Sequence, residues 1–178
     1  MSRIVTPSTI EASPAASQDL LKVVQKQLGG VPNMFRLIGV SPASLEGYLG
    51  LSGALARGQL DPRTRNRIAL AVAEANDCDY CRAAHTALGK GQKLEDREMR
   101  ANRDGGSGDP KAAAAVRFAR TLTLSRGVVS EAELKAVREA GWGDSALLEI
   151  VLHVALNTLT NYVNKAFATD LDFSPVER

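Results

Sequence analysis

Two cysteines lie in the run Glu74-Ala75-Asn76-Asp77-Cys78-Asp79-Tyr80-Cys81-Arg82-Ala83-Ala84-His85; the chain has no others, and His85 is one of its two histidines. On a helix, Cys78, Cys81 and His85 fall at i, i+3 and i+7 and project from one face. Two thiols in reach of each other, with an imidazole one turn beyond the second, make a compact dithiol redox centre. The imidazole can take a thiol proton, and one thiol can close a disulfide on the other. At a helix start, unpaired N–H groups and the positive end of the macrodipole favour a thiolate at Cys78, while Asp77 and Asp79 oppose it.

Three other readings of this cluster compete. A zinc site wants four ligands, but beyond Cys78, Cys81 and His85 only His153 remains, and there is no second CxxC, so no metal is expected. A thioredoxin-like motif needs a βαβ context, and the chain shows no such rhythm. A buried structural pair of cysteines beside a core histidine is the third.

The elements that must position these groups read as helices joined by short breaks, an all-α chain without alternating strands. Residues 1–17 are rich in Ser, Thr, Pro and Ala and read as an extended arm. Leu20, Leu21, Val24 and Leu28 follow helical spacing until Gly29-Gly30. Ser41-Pro42, Asp61-Pro62 and Asp109-Pro110 are cap-and-proline helix starts. The chain breaks near Asn76-Asp77, with Asp77 as N-cap of a helix that begins at Cys78 and closes at Gly89 and Gly91. A polar helix spans 94–103. Ser130 with Glu133 forms a capping box, and Gly141 is a stop. Asp144 opens the longest helix, which runs to Thr169, and 170–178 is irregular. Within that helix, Asn157, Asn161 and Asn164 make a polar stripe that caps a buried network or lines a pocket or an interface, and His153 reads as a hydrogen-bonded core residue.

Bulk properties narrow the partners. With 178 residues, 44% of them apolar, the chain can build one domain with a real core. A net charge of +2 and 4% aromatic residues give no reason to expect nucleic acid or an anionic membrane. The N-terminus lacks the apolar core of a secretory signal. The longest uncharged stretch, between Glu149 and Lys165, falls short of the roughly 20 apolar residues that span a bilayer. A cytoplasmic location follows as the expectation, and in a reducing compartment a lone CxxC serves catalysis or metal binding rather than stapling.

The chain resembles the carboxymuconolactone decarboxylase superfamily, in its alkylhydroperoxidase D (AhpD)-like, peroxidase-related branch. The resemblance rests on Leu60-Asp61-Pro62-Arg63-Thr64-Arg65, Ile68 through Asn76, and Cys78-x-Tyr80-Cys81-x-x-x-His85-Thr86. Flanking matches are Gly30-Val31-Pro32-Asn33-Met34-Phe35, Ser41-Pro42, Asn157-x-x-x-Asn161-Tyr162-x-Asn164 and Asp170-Leu171-Asp172-Phe173. It covers nearly the whole of 1–178 as one domain. It implies an all-α fold with the dithiol helix in its middle, and a homo-oligomer, trimer or hexamer.

The implied activity is thiol-dependent reduction of a small hydroperoxide without a cofactor, with a dithiol electron donor restoring the enzyme. Cys81, the neighbour of His85, is then the attacking thiol and Cys78 the resolving one, with the reverse assignment open because Cys78 holds the helix end. Tyr80 stands where some relatives have a histidine; its phenol can donate to a peroxide oxygen or simply pack. Asn66 stands where many relatives carry a relay glutamate, and an amide cannot shuttle a proton at neutral pH. Glu74 is the candidate substitute, with a solvated or capping carboxylate as its other reading. Two alternatives of function stay open: a decarboxylase of the lactone type, for which a dithiol has no use, and a non-catalytic oligomeric redox sensor that oxidises once.

Overall fold

The computed structural model describes residues 2–176. Among them the regular structure is entirely helical: α1 (Ala15–Leu28), α2 (Asn33–Ile38), α3 (Pro42–Ala56), α4 (Pro62–Ala75), α5 (Asp79–Gly91), α6 (Asp96–Arg103), α7 (Pro110–Leu124), α8 (Glu131–Glu139) and α9 (Asp144–Phe167). The expected cap-and-proline starts are present. Ser41, Asp61 and Asp109 each accept backbone N–H bonds ahead of a proline in the first turn, and Ser130 with Glu133 closes a capping box. Each such cap contributes about 1 kcal/mol.

Helix α4 is the axis of the fold, since Ile68 through Ala73 are buried without a break. It packs on α5, α6, α7 and α9. On one side Ile68 and Val72 join Phe118 and Leu122 of α7, Val137 of α8, Trp142, and Leu147 and Ile150 of α9 in an apolar cluster. On the other side Ala73 joins Leu21, Met34, Ile38 and Leu45 with Cys78, Tyr80 and Cys81. The dithiol is therefore built into the wall of a second core.

Several boundaries differ from expectation. The N-terminal arm ends earlier, because α1 begins at Ala15; Ile10 is buried, and Arg3 N–H donates to Phe167 O at 2.7 Å. The arm is thus tied to the far end of α9. Helix α9 stops at Phe167, where Ala168 turns left-handed at φ 50°. Helix α5 closes at Gly91 as expected, with Gln92 as its C-cap, while Gly89 lies inside the last turn. Gly89 instead permits a close approach: a Cβ there would stand 2.5 Å from Met99 Sδ and 2.9 Å from Asn66 Nδ2. Helix α9 is long and apolar enough, by length and composition, to cross a membrane, yet 50% of its most apolar window is buried against the other helices. Met1, Glu177 and Arg178 lie outside the described residues, and with them the last two positions of the expected irregular tail.

Candidate active site

The α4–α5 turn decides where the thiols point. Asp77 adopts φ 51°. The Asp77 N–H donates to Glu74 O at 3.0 Å and the Cys78 N–H to Ala73 O at 2.9 Å, a Schellman closure with aspartate where glycine is usual. The N-cap of α5 is consequently Cys78, not Asp77: Asp77 is spent ending α4, and Cys78 is extended at φ −106°, ψ 98°. Its own sulfur does the capping, accepting from Cys81 N–H at 3.4 Å. Arg82, 1% exposed, holds the turn from behind through Asp77 at 3.3 Å, through Asp79, and through Glu74 at 3.6 Å.

The two sulfurs lie 2.6 Å apart as free thiols, both almost fully buried. They are not equivalent. Cys81 lines a cavity of about 430 Å³, whereas Cys78 lies behind it and does not reach the lining. The hydrogen bond from Cys78, then that from Asn164, hold the Cys81 thiol below its usual value against the cost of burial. The same contact with Cys81, together with burial, pushes the Cys78 thiol up. Of the two, Cys81 is thus the one at which a thiolate is favoured, and Cys78 the one that keeps its proton. Asn164 Nδ2 donates to Cys81 Sγ at 3.3 Å.

His85 lines the cavity one turn further along α5. Asn66 Nδ2 donates to His85 O at 3.0 Å, which orients the amide so that its Oδ1 accepts from His85 Nδ1, also at 3.0 Å. That bond selects the Nδ1–H tautomer and leaves Nε2 as the basic nitrogen. Burial pushes His85 down to about 4, with Asn157 opposing, so the ring is neutral at pH 7. Its hydrogen bond is to Asn66 rather than to a thiol.

The other two sequence-derived candidates sit elsewhere. Glu74 faces Arg82 and, at 3.9 Å, Arg103, and it does not line the cavity. A carboxylate held there cannot replace the one absent at Asn66. Tyr80 does line the cavity, but its hydroxyl donates to Asp172 Oδ2 at 2.5 Å and accepts from Met34 N–H at 3.3 Å. Its proton is committed to the C-terminal segment rather than to a substrate. Asp172 also accepts from Asn33 N–H at 2.8 Å, and Phe173 meets the Tyr80 ring edge-on at 5.8 Å, so 170–173 straps the cavity.

Sequence reasoning missed one residue here and misread another. Tyr48 of α3 lines the cavity and interacts electrostatically with Cys81; burial first, then that charge, push its phenol up to about 12. The asparagine stripe turns out to be the clamp: Asn161 Oδ1 accepts from Asn76 Nδ2 at 2.9 Å, while Asn164 serves Cys81. Their i, i+4, i+7 spacing had already marked them as one face of the helix. His153 is no satisfied core histidine, since it lines the cavity at 5% exposure with Nε2 unpartnered. Among the described residues no group of three or more His, Cys, Asp and Glu is arranged to hold a metal.

With this geometry established, the chain can be set beside known proteins. The family model described as carboxymuconolactone decarboxylase family matches residues 42–121, from the start of α3 into α7. An uncharacterized peroxidase-related protein of the alkylhydroperoxidase AhpD core, from Ralstonia eutropha JMP134, has TM-score 0.85 and 25% identity, covering 96% of this chain and 92% of that one. A peroxidase-related protein from Silicibacter sp. TM1040 has TM-score 0.81 and 22% identity, covering 98% and 92%. A cysteine-to-alanine variant of the debrominase Bmp8, in complex with 2,3,4-tribromopyrrole, has TM-score 0.81 and 18% identity, covering 97% and 93%. A search of curated proteins finds no match.

Proposed function

Because the chain belongs to the carboxymuconolactone decarboxylase superfamily, in its AhpD-like branch, we propose that it is a cytoplasmic, thiol-dependent hydroperoxide reductase with Cys81 as attacking thiol. One observation carries the reading: Cys81 alone of the two cysteines lines the cavity, and it is also the one whose thiolate is favoured. The thiolate attacks the terminal oxygen of R–O–O–H. The O–O bond breaks, an S–O bond forms, and the departing alkoxide is protonated to an alcohol. Tyr48, kept protonated by burial, is a donor in the cavity in electrostatic contact with Cys81. Cys81 is left as a sulfenic acid. The Cys78 thiol attacks that sulfur and expels water, giving the Cys78–Cys81 disulfide. A dithiol donor then returns two electrons and two protons.

The cavity of about 430 Å³ is far larger than hydrogen peroxide needs, and its walls include Met34, Phe35, Tyr48, Leu49 and Phe173, which supports an organic substrate. That observation also favours a second reading, reductive dehalogenation of a small aromatic ring. There the same dithiol supplies two electrons, a proton replaces the halogen on carbon, and halide leaves. A homo-oligomer belongs to the proposal as well; the exposed stripe Leu148, Leu152, Leu159 and Tyr162 along α9 supports it.

The test is mass spectrometry of the peptide holding both cysteines after exposure of the reduced protein to an organic hydroperoxide. Fast, stoichiometric loss of two hydrogens is expected. Two free thiols after long exposure sink the peroxidase reading, and halide release from a brominated pyrrole under the same conditions selects the second. Alkylating the thiols abolishes either reaction but spares a decarboxylase.

A further inference from the structure

The cavity has a second end that the dithiol chemistry does not use. Helix α9 lines it with His153, Asn157, Thr160 and Asn164, spaced along one face. Asn164 touches Cys81, and Asn157 sits beside His85. His153, eleven residues before Asn164, therefore lies about 16 Å along the helix axis from the thiol. Helix α4 runs parallel to α9, with Asn76 bonded to Asn161 at one end and Arg65 beside His153 at the other.

Inside the cavity the charge at this far end is basic, while the Glu149 carboxylate, whose charge also reaches His153, lies outside the lining. Arg65 carries a permanent charge. It forms no ion pair with a described carboxylate, and its one hydrogen bond, to Leu55 O, is at the 3.5 Å limit. His153 Nε2 is buried without a partner in the same cavity. Buried polar atoms are normally hydrogen-bonded, so one left unpartnered in a cavity wall is placed to meet a ligand group. Glu149, one turn before His153, does not line the cavity, and its Oε2 is occupied by Gln59 N–H at 2.8 Å and Leu60 N–H at 3.3 Å. Between this end and Cys81 the wall is largely apolar.

We propose that Arg65 and His153 form a carboxylate-binding subsite, so that the protein takes elongated, amphipathic organic acids with the acid group at this end and the reactive group at Cys81. This rests on the proposed reductase reading for the reactive end only. Arg65 supplies the charge and two parallel N–H donors, and neutral His153 donates Nε2–H. The apolar chain lies along Leu49, Ala69 and Leu156.

Equilibrium binding separates this proposal from the redox chemistry, because a saturated acid has no bond for the thiol to break. Dodecanoate and methyl dodecanoate are titrated into the reduced protein by calorimetry. Dodecanoate is expected to bind at least about tenfold more tightly than its ester, the margin of a charge-assisted pair. Arg65→Gln abolishes that preference while leaving the ester unchanged, His153→Gln reduces it, and Arg65→Lys keeps most of it. Equal binding of acid and ester by the wild-type protein overturns the subsite. So does equal loss of both ligands in Arg65→Gln with a native melting curve. Should Arg65→Gln not fold, the wild-type ratio and His153→Gln decide alone. A preference for the acid in a protein whose thiols resist hydroperoxide would uphold the subsite and remove the reductase reading.

Discussion

The two faces of α4 are packed to opposite ends. Toward α7, α8 and the start of α9, Ile68 and Val72 meet Phe118, Leu122, Trp142 and Ile150 in a sealed apolar cluster. Toward α1, α3, α5 and the rest of α9, the same helix meets the cysteines, Tyr80 and a cavity whose α9 wall carries His153 Nε2 and Asn164 Oδ1 without partners. The first face excludes water and polar groups, which is how burial stabilises. The second keeps space and unspent hydrogen-bonding capacity, which destabilises the protein by itself and suits it to receive a ligand. One rigid helix serving both lets the sealed side hold the open side in shape.

If that division is real, mutations on the two faces have separable effects. The largest is expected at Cys81: Cys81→Ser lowers the rate of hydroperoxide consumption by at least about 10³-fold, while the melting temperature barely moves. An unchanged rate would assign attack to another group. Phe118→Ala on the sealed face does the reverse. It costs about 3–5 kcal/mol in denaturant unfolding, yet the folded fraction oxidises at the wild-type rate; a large rate change would erase the separation.

Acidity probes the open face in the folded state. His85 and His153 both fall to about 4 against an ordinary value of 6.5. The unfolded chain therefore binds more protons between these values, so their stabilisation, complete above about 6.5, is lost as pH falls to about 4. Melting temperature measured across that window should decline, and His153→Gln should flatten the slope; a flat wild-type profile contradicts the buried, neutral assignment.

Smaller effects test the fine geometry. Asn66→Glu places a carboxylate on His85 Nδ1 and is expected to raise the oxidation rate about a hundredfold in stopped-flow, the low side of general acid–base effects. An unchanged or lower rate removes the reason to regard the amide as a weakness. Tyr80→Phe releases Asp172 and should cost about 1 kcal/mol, with the C-terminal strap becoming faster in amide exchange at 170–173. Unaltered exchange there would show that Phe173 packing alone holds it.

Much of the architecture was legible from local chemistry. Cap-plus-proline starts at Ser41, Asp61 and Asp109 and the capping box at Ser130 depend only on neighbouring residues, so they emerged where expected. The α4–α5 turn did not, because an aspartate can serve either as an N-cap or as a left-handed C-terminal residue. The choice at Asp77 follows from Arg82 gripping it. Gly91 does close α5, but Gly89 misled for a related reason: it answers to Met99 and Asn66 across a helix contact, not to its own helix.

The CxxC spacing, the histidine one turn on and the absence of any strand pattern were determined by the sequence alone, since each depends on covalent neighbours and helical period. Which thiol faces the cavity, that Tyr80 is bound to Asp172, that Glu74 belongs to Arg82 and that His153 and Arg65 meet were decided by tertiary structure. Those pairs are joined by helices crossing from 8 to 92 residues apart along the chain, and no local propensity records which side chains such crossings bring together.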